Sequence, residues 1–148
     1  MKKAFTIIEL LVVVAIIGIL SAVVIFFVSE PGARASDSAV KANLLAIRKQ
    51  SEIYYITKNT YGEQGSQNYP CTNSSPKNIF DDVTVQTALS EIRKNIGGQR
   101  TISCQVSIDG TAWALMVDGL KGEGTKWCVD STGKASVPTN NPINGVCQ

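Results

Sequence analysis

From Leu10 to Ser29 the chain carries no charged side chain, and Val, Ile, Leu, Ala and Phe dominate. A run of about twenty such residues is long enough to cross a hydrocarbon core as a helix. No other feature narrows the possible folds as much, because a helix that is apolar on every side must be buried in lipid or against other apolar helices. Lys2 and Lys3 precede the run and favour a cytoplasmic amino end, which places everything after the run on the far side of the membrane. A carboxylate, Glu9, stands at the start of the stretch. An ionisable group at such a place is costly, and a partner for it is expected.

The length of 148 residues suits one domain plus an anchor. All four cysteines, Cys71, Cys104, Cys128 and Cys147, follow the apolar run. On the exported side an even count points to two disulfides, and the absence of a C-x-x-C pair argues against a metal site. Three pairings are open to four cysteines. We expect Cys128–Cys147, which ties the last long strand to an irregular tail, and Cys71–Cys104, which ties a long loop to the first strand. The net charge is +2, and without Lys2 and Lys3 the 14 Lys and Arg become 12, equal to the 12 Asp and Glu. Between Tyr61 and Gln148 seven basic side chains face eight acidic ones. Such a head has no net electrostatic pull on nucleic acid, so direct DNA binding is not expected. The sequence has no histidine, which removes the commonest general base and metal ligand.

The apolar helix is expected from residue 5 to about 28, with a kink or local melting at Pro31-Gly32. Ser36 and Asp37 offer a cap for a separate helix, but one long kinked helix ending near Lys58 is the preferred reading. Val40, Leu44, Ile47, Ser51 and Tyr54 step by four and three, an amphipathic pattern that Leu45 and Ile56 are expected to widen. Tyr61 to Pro76 is rich in Gly, Gln, Asn, Ser and Pro and reads as a loop. Val85, Leu89, Ile92 and Ile96 predict a short helix stopped by Gly97-Gly98. "RTISCQVSI", "TAWALMVDG" and "TKWCVDS" read as strands, the first two joined at Asp109-Gly110, with a short fourth strand at Lys134 to Val137.

Three readings of the amino-terminal segment compete. A cleaved secretory signal finds an A-x-A-like site at Ala33-Arg34-Ala35, but the apolar region is too long and Glu9 interrupts its start. A permanent anchor of a monomeric exported protein makes Glu9 half of a capping box, since Thr6-Ile7-Ile8-Glu9 fits the S/T-x-x-E pattern. The third reading rests on Ala4, Phe5, Thr6, Ile7, Ile8 and Glu9 behind a short basic leader. "KKAFTIIELLVVVAIIGIL" resembles the class III signal of type IV pilins and pseudopilins over about 30 residues. Two positions depart from the family: Ala4 stands where a glycine is usual before the cut, and the helix proline comes at Pro31, with Phe26 at its usual place.

The resemblance implies a leader of residues 1–4, cut between Ala4 and Phe5 by a prepilin peptidase, with N-methylation of Phe5. Residues 5–32 would then be the membrane and filament-core helix, and 33–148 the rest of the helix plus a globular head. It further implies an α+β fold, a long kinked amino-terminal helix packed on a small antiparallel sheet. The subunits would polymerise into a helical filament with the aid of a separate assembly platform and ATPase. The precursor would sit in the cytoplasmic membrane and the product would be an extracellular pilus, used in adhesion, twitching motility or DNA uptake. Within that frame Glu9 is an assembly residue whose carboxylate meets the Phe5 amine of another subunit or its own.

No catalytic set is visible in the head, and neither an enzyme, a cofactor, a metal nor a small-molecule substrate is expected. Asp81-Asp82 at a helix start reads as a favourable interaction with the helix dipole. "GLKGEG" (119–124) lacks a P-loop pattern and reads as a turn, as does "VDSTG" (129–133), where too few carboxylates cluster for calcium. Trp113 and Trp127 are expected in the core. Asn73-Ser74-Ser75 matches a glycosylation sequon. The rival readings are a pseudopilin of a type II secretion system, a minor pilin at a filament tip, and, from another class, a membrane-anchored exported enzyme.

Overall fold

The structure, a computed structural model, describes residues 6–62, 71, 77–97, 101–121 and 126–148, and the side chains of all of these except residues 26–31. The elements run α1 (Ile7–Lys58), a 3-10 turn (Ile79–Asp81), α2 (Val83–Ile96), β1 (Ile102–Val106), β2 (Trp113–Asp118), β3 (Lys126–Asp130) and β4 (Ala135–Ser136). The chain divides into two compact units, Met1–Arg34 and Ala35–Gln148.

In the first unit the described side chains from Ile7 to Ile25 are exposed all round the helix. This stretch is long and apolar enough to cross a membrane. The α1 assignment continues through Pro31 and Gly32, so no separate helix begins at Ser36-Asp37. A proline removes one helical hydrogen bond, and flanking turns can carry the helix past it. Asp37, in the interior of α1, has another task. Its Oδ1 accepts the backbone N–H of Lys121 at 2.8 Å and holds the β2–β3 connection to α1.

The second unit, the head, is built by two periodicities. Along α1, Val40, Leu44, Ile47 and Ser51 are buried. Leu45 and Ile56 do not widen this stripe, which corrects the sequence reading; both are exposed. At roughly 100° per residue they fall on the far side of the helix from Leu44 and Ile47. Along the sheet the period is two. Cys104 and Val106 of β1, Trp113, Leu115 and Val117 of β2 and Val129 of β3 join one core with α1, α2, Ile79 and Phe80. Ala114, Met116 and Cys128 point to the opposite face, where Cys147 of the tail covers them. Trp113 is fully buried and meets the rings of Tyr61 and Phe80 edge-on. Trp127 is half-buried with Lys41 Nζ 4.1 Å from its ring centroid, a cation–π contact.

The strand order is β1-β2-β3-β4, and each neighbouring pair is antiparallel. Gly110 takes φ 69° at the β1–β2 turn, which suits glycine. Asp109 precedes it and accepts from Ser107 Oγ and the Thr111 N–H. These bonds, that of Ser107 foremost, lower its pKa to about 2. Two caps went unread in the sequence. Asn78 and Asp81 form a reciprocal capping box on the 3-10 turn, and Asp82 caps α2 through the Thr84 and Val85 N–H groups. Asp81-Asp82 is thus two caps, side by side.

Tyr61 follows the end of α1, is buried, and donates its hydroxyl to Glu52 at 3.3 Å. Burial, reinforced by the Glu52 charge, pushes the phenol up from 10.0 to about 12. The fold therefore favours the neutral phenol. Its contribution is fully present below pH 10 and is lost as pH rises through about 12. Melting midpoints followed by circular dichroism should fall across that window, and Tyr61→Phe should flatten the fall. An equal fall in the variant would remove Tyr61 as its cause.

Candidate assembly site

Glu9 lies in the first turn of α1 in an otherwise apolar stretch. Its Oε2 accepts the Thr6 N–H at 2.9 Å and the Thr6 hydroxyl at 2.7 Å, while Thr6 Oγ1 accepts the Glu9 N–H at 3.3 Å. This is the reciprocal arrangement of a capping box, and it satisfies two of the donors that a helix start leaves over. Both bonds fall on Oε2. Oε1 has no partner among the described residues. The carboxylate is thus oriented by its own helix and still has an acceptor oxygen to offer to a cation. Ala4 and Phe5, the expected cleavage pair, lie outside the described residues, so the structure brings Glu9 to Thr6 alone.

The cysteines are placed on the two faces of the sheet. Cys71 is bonded to Cys104, with Cα atoms 5.4 Å apart, on the core face. Cys128 is bonded to Cys147, with Cα atoms 5.9 Å apart, on the outer face. The Cys71 carbonyl also accepts from Arg93 of α2. Outside the described residues lie the sequon Asn73-Ser74-Ser75, Gly98, and residues 122–124 of the 119–124 turn.

Sequence reading missed Asp130, within "VDSTG". It is fully buried. Oδ1 accepts the Thr132 N–H, the Thr132 hydroxyl and the Lys134 N–H at 3.0, 2.7 and 3.1 Å. Oδ2 accepts the Cys147 N–H at 2.9 Å, and Lys134 Nζ donates to the Cys147 carbonyl at 3.0 Å. Both oxygens are engaged by protein donors, so the residue organises the turn and the tail. Among the described residues no three His, Cys, Asp or Glu side chains come together as a metal-binding group.

The profile of the prokaryotic N-terminal methylation motif matches residues 1–25. The type IV wide pilus major component PilA4 of Thermus thermophilus is 38% identical over 89 residues, which is 60% of this chain and 68% of that protein. The chain belongs to the type IV pilin family. No solved structure matches the pilin at a significant level. An apolar amino-terminal helix, a second helix and a four-stranded antiparallel sheet make up its α+β pilin fold. Membership makes this pilin a structural protein of a family that assembles filaments from its subunits.

Proposed function

We propose that this pilin is the major structural subunit of a type IV pilus, made as a single-pass precursor in the cytoplasmic membrane and polymerised through α1 after removal of residues 1–4. The observation that carries the proposal is Glu9: a carboxylate in an apolar helix, held by Thr6 through one oxygen, with the other oxygen open. Cleavage between Ala4 and Phe5 creates an amine at Phe5, which methylation leaves cationic. That amine, from a neighbouring subunit, is the partner that offsets the cost of the Glu9 charge in hydrocarbon. Polymerisation keeps the apolar segment out of water once it leaves the bilayer, because equivalent segments cover one another. A prepilin peptidase, an assembly platform and an ATPase act on the pilin from outside its own chain. Basic and acidic side chains nearly balance between Tyr61 and Gln148, so DNA binding by this subunit is not part of the proposal.

Cysteine pairing belongs to the same reading. With residues 35–148 exported, Cys71–Cys104 and Cys128–Cys147 are oxidised. The test is mass spectrometry of fibres sheared from cells. The expected mass lacks Met1 to Ala4 and carries one methyl group on Phe5, the pilin is the most abundant chain, and unreduced peptides show those two linkages. Sheared material without this chain would favour a secretion-system pseudopilin, and a mature chain starting at Ser36 would favour a secretory signal.

A further inference from the structure

The head half of α1 has a second stripe, opposite the one that packs in the core. Ala35, Ala42, Lys49 and Ile56 recur every seven residues, and Ser38, Leu45 and Glu52 fall between them at steps of three and four. This alternation is the pattern of a helix–helix seam. At roughly 100° per residue the seam lies on the far side of the helix from Leu44, Ile47 and Ser51. Its large apolar members are in solvent: Leu45 is 46% exposed, Ile56 83%, and the flanking Ile53 57%. Leu45, Arg48, Lys49 and Glu52 line a shallow cleft, whose edge is fixed where Arg48 donates to the Gly133 carbonyl at 3.2 Å. Lys49 has no partner among the described residues, and Glu52 takes only the Tyr61 hydroxyl.

We propose that this seam packs against α1 of a second copy of the pilin, with Lys49 of one copy paired to Glu52 of the next. The inference rests on the filament reading and extends it from the apolar segment into the head. Subunits drawn from one membrane share one orientation, so neighbouring α1 helices run parallel. Aligned in register, two such seams would set Lys49 against Lys49 and Glu52 against Glu52, which repel. A stagger along the axis brings Lys49 to Glu52 instead. Polar residues within an otherwise apolar seam select register in this way, because wrong registers leave a charge buried without a partner. The apolar segment from Ile7 to Ile25 has no charge after Glu9, so Lys49 and Glu52 give the interface a second fixed point.

The experiment uses the full chain in cells that assemble it. Lys49→Glu and Glu52→Lys should each lower the yield of sheared fibres by roughly tenfold or more through like-charge contact, at unchanged precursor level in the membrane. The double reversal, Lys49→Glu with Glu52→Lys, should restore most of the yield. Independently of any variant's folding, carbodiimide coupling of intact wild-type fibres should give interchain dimers whose cross-linked peptide joins Lys49 to Glu52. Absence of that peptide, or wild-type yield from both single reversals, overturns the seam while leaving the filament reading intact. Absence of fibres of the wild-type chain overturns the filament reading itself.

Discussion

Replacing Glu9 with valine or glutamine should leave the chain in the membrane and sharply reduce fibre assembly. Removing a carboxylate makes insertion easier, so the variants should accumulate as precursor at no less than the wild-type level. The two substitutions separate the roles the structure gives this side chain. Glutamine can still accept from Thr6 through its amide oxygen and so keeps the capping box, whose worth is about 1 kcal/mol. It cannot carry the negative charge that meets the Phe5 amine. If assembly depends on that charge, sheared fibres should fall by roughly tenfold or more in both variants, since a buried cation left without its partner is strongly penalised. Immunoblots of the membrane and sheared fractions read the result. Normal fibres from Glu9→Gln, with none from Glu9→Val, would make Glu9 a cap and nothing more.

Asp130→Ala is expected to be the most damaging single change in the head. The carboxylate is fully buried and bridges the β3–β4 turn to the tail through Thr132, Lys134 and Cys147. Truncation strands three backbone donors, each costing about 1–3 kcal/mol when left without an acceptor. Some water will enter, so a total loss of roughly 3–5 kcal/mol is expected. For a domain of this size that lowers the melting midpoint by roughly 12–20 °C. Asp130→Asn keeps one acceptor oxygen but turns an amide donor toward the others, and should fall between the two. Thermal melts of the detergent-solubilised chain give the values. A loss within about 1 kcal/mol for the alanine variant would show that solvent replaces the network at little cost.

Reduction of Cys128–Cys147 alone should be milder than Asp130→Ala. The Cys147 N–H and carbonyl remain held by Asp130 and Lys134 when the sulfurs part.

How much of this was legible beforehand follows from the range of each interaction. The strand at Trp113 to Val117 was readable as a short apolar run between turn residues, a pattern that needs no knowledge of the partner, and burial on both faces accounts for it. The turn at Asp109-Gly110 was readable for the same reason. Val40, Leu44 and Ile47 were readable as a core stripe, but Leu45 and Ile56 were folded into it in error. A helix with apolar residues on two faces offers both stripes to the same window, and only packing tells which one the sheet covers. Glu9 and its cap lie within one turn, so Thr6-Ile7-Ile8-Glu9 announced the contact. Asp130 stayed hidden because its decisive donor, the Cys147 N–H, comes from 17 residues away. Asp37 did so because Lys121 is 84 residues distant. In local sequence such carboxylates look like any turn or cap.

The strand order has a consequence for how the head reaches its fold. Among the described residues every strand pairs with the one that precedes or follows it along the chain. Each new strand therefore finds its place beside one already laid down, and no earlier pairing must open to admit it. Of the two disulfides, Cys128–Cys147 spans 19 residues and Cys71–Cys104 spans 33. They lie on opposite faces of the sheet, so once the sheet is formed its own thickness keeps Cys104 from Cys128 and Cys147. Correct oxidation is then enforced by a partition: the sheet divides four equivalent thiols into two rooms with two occupants each.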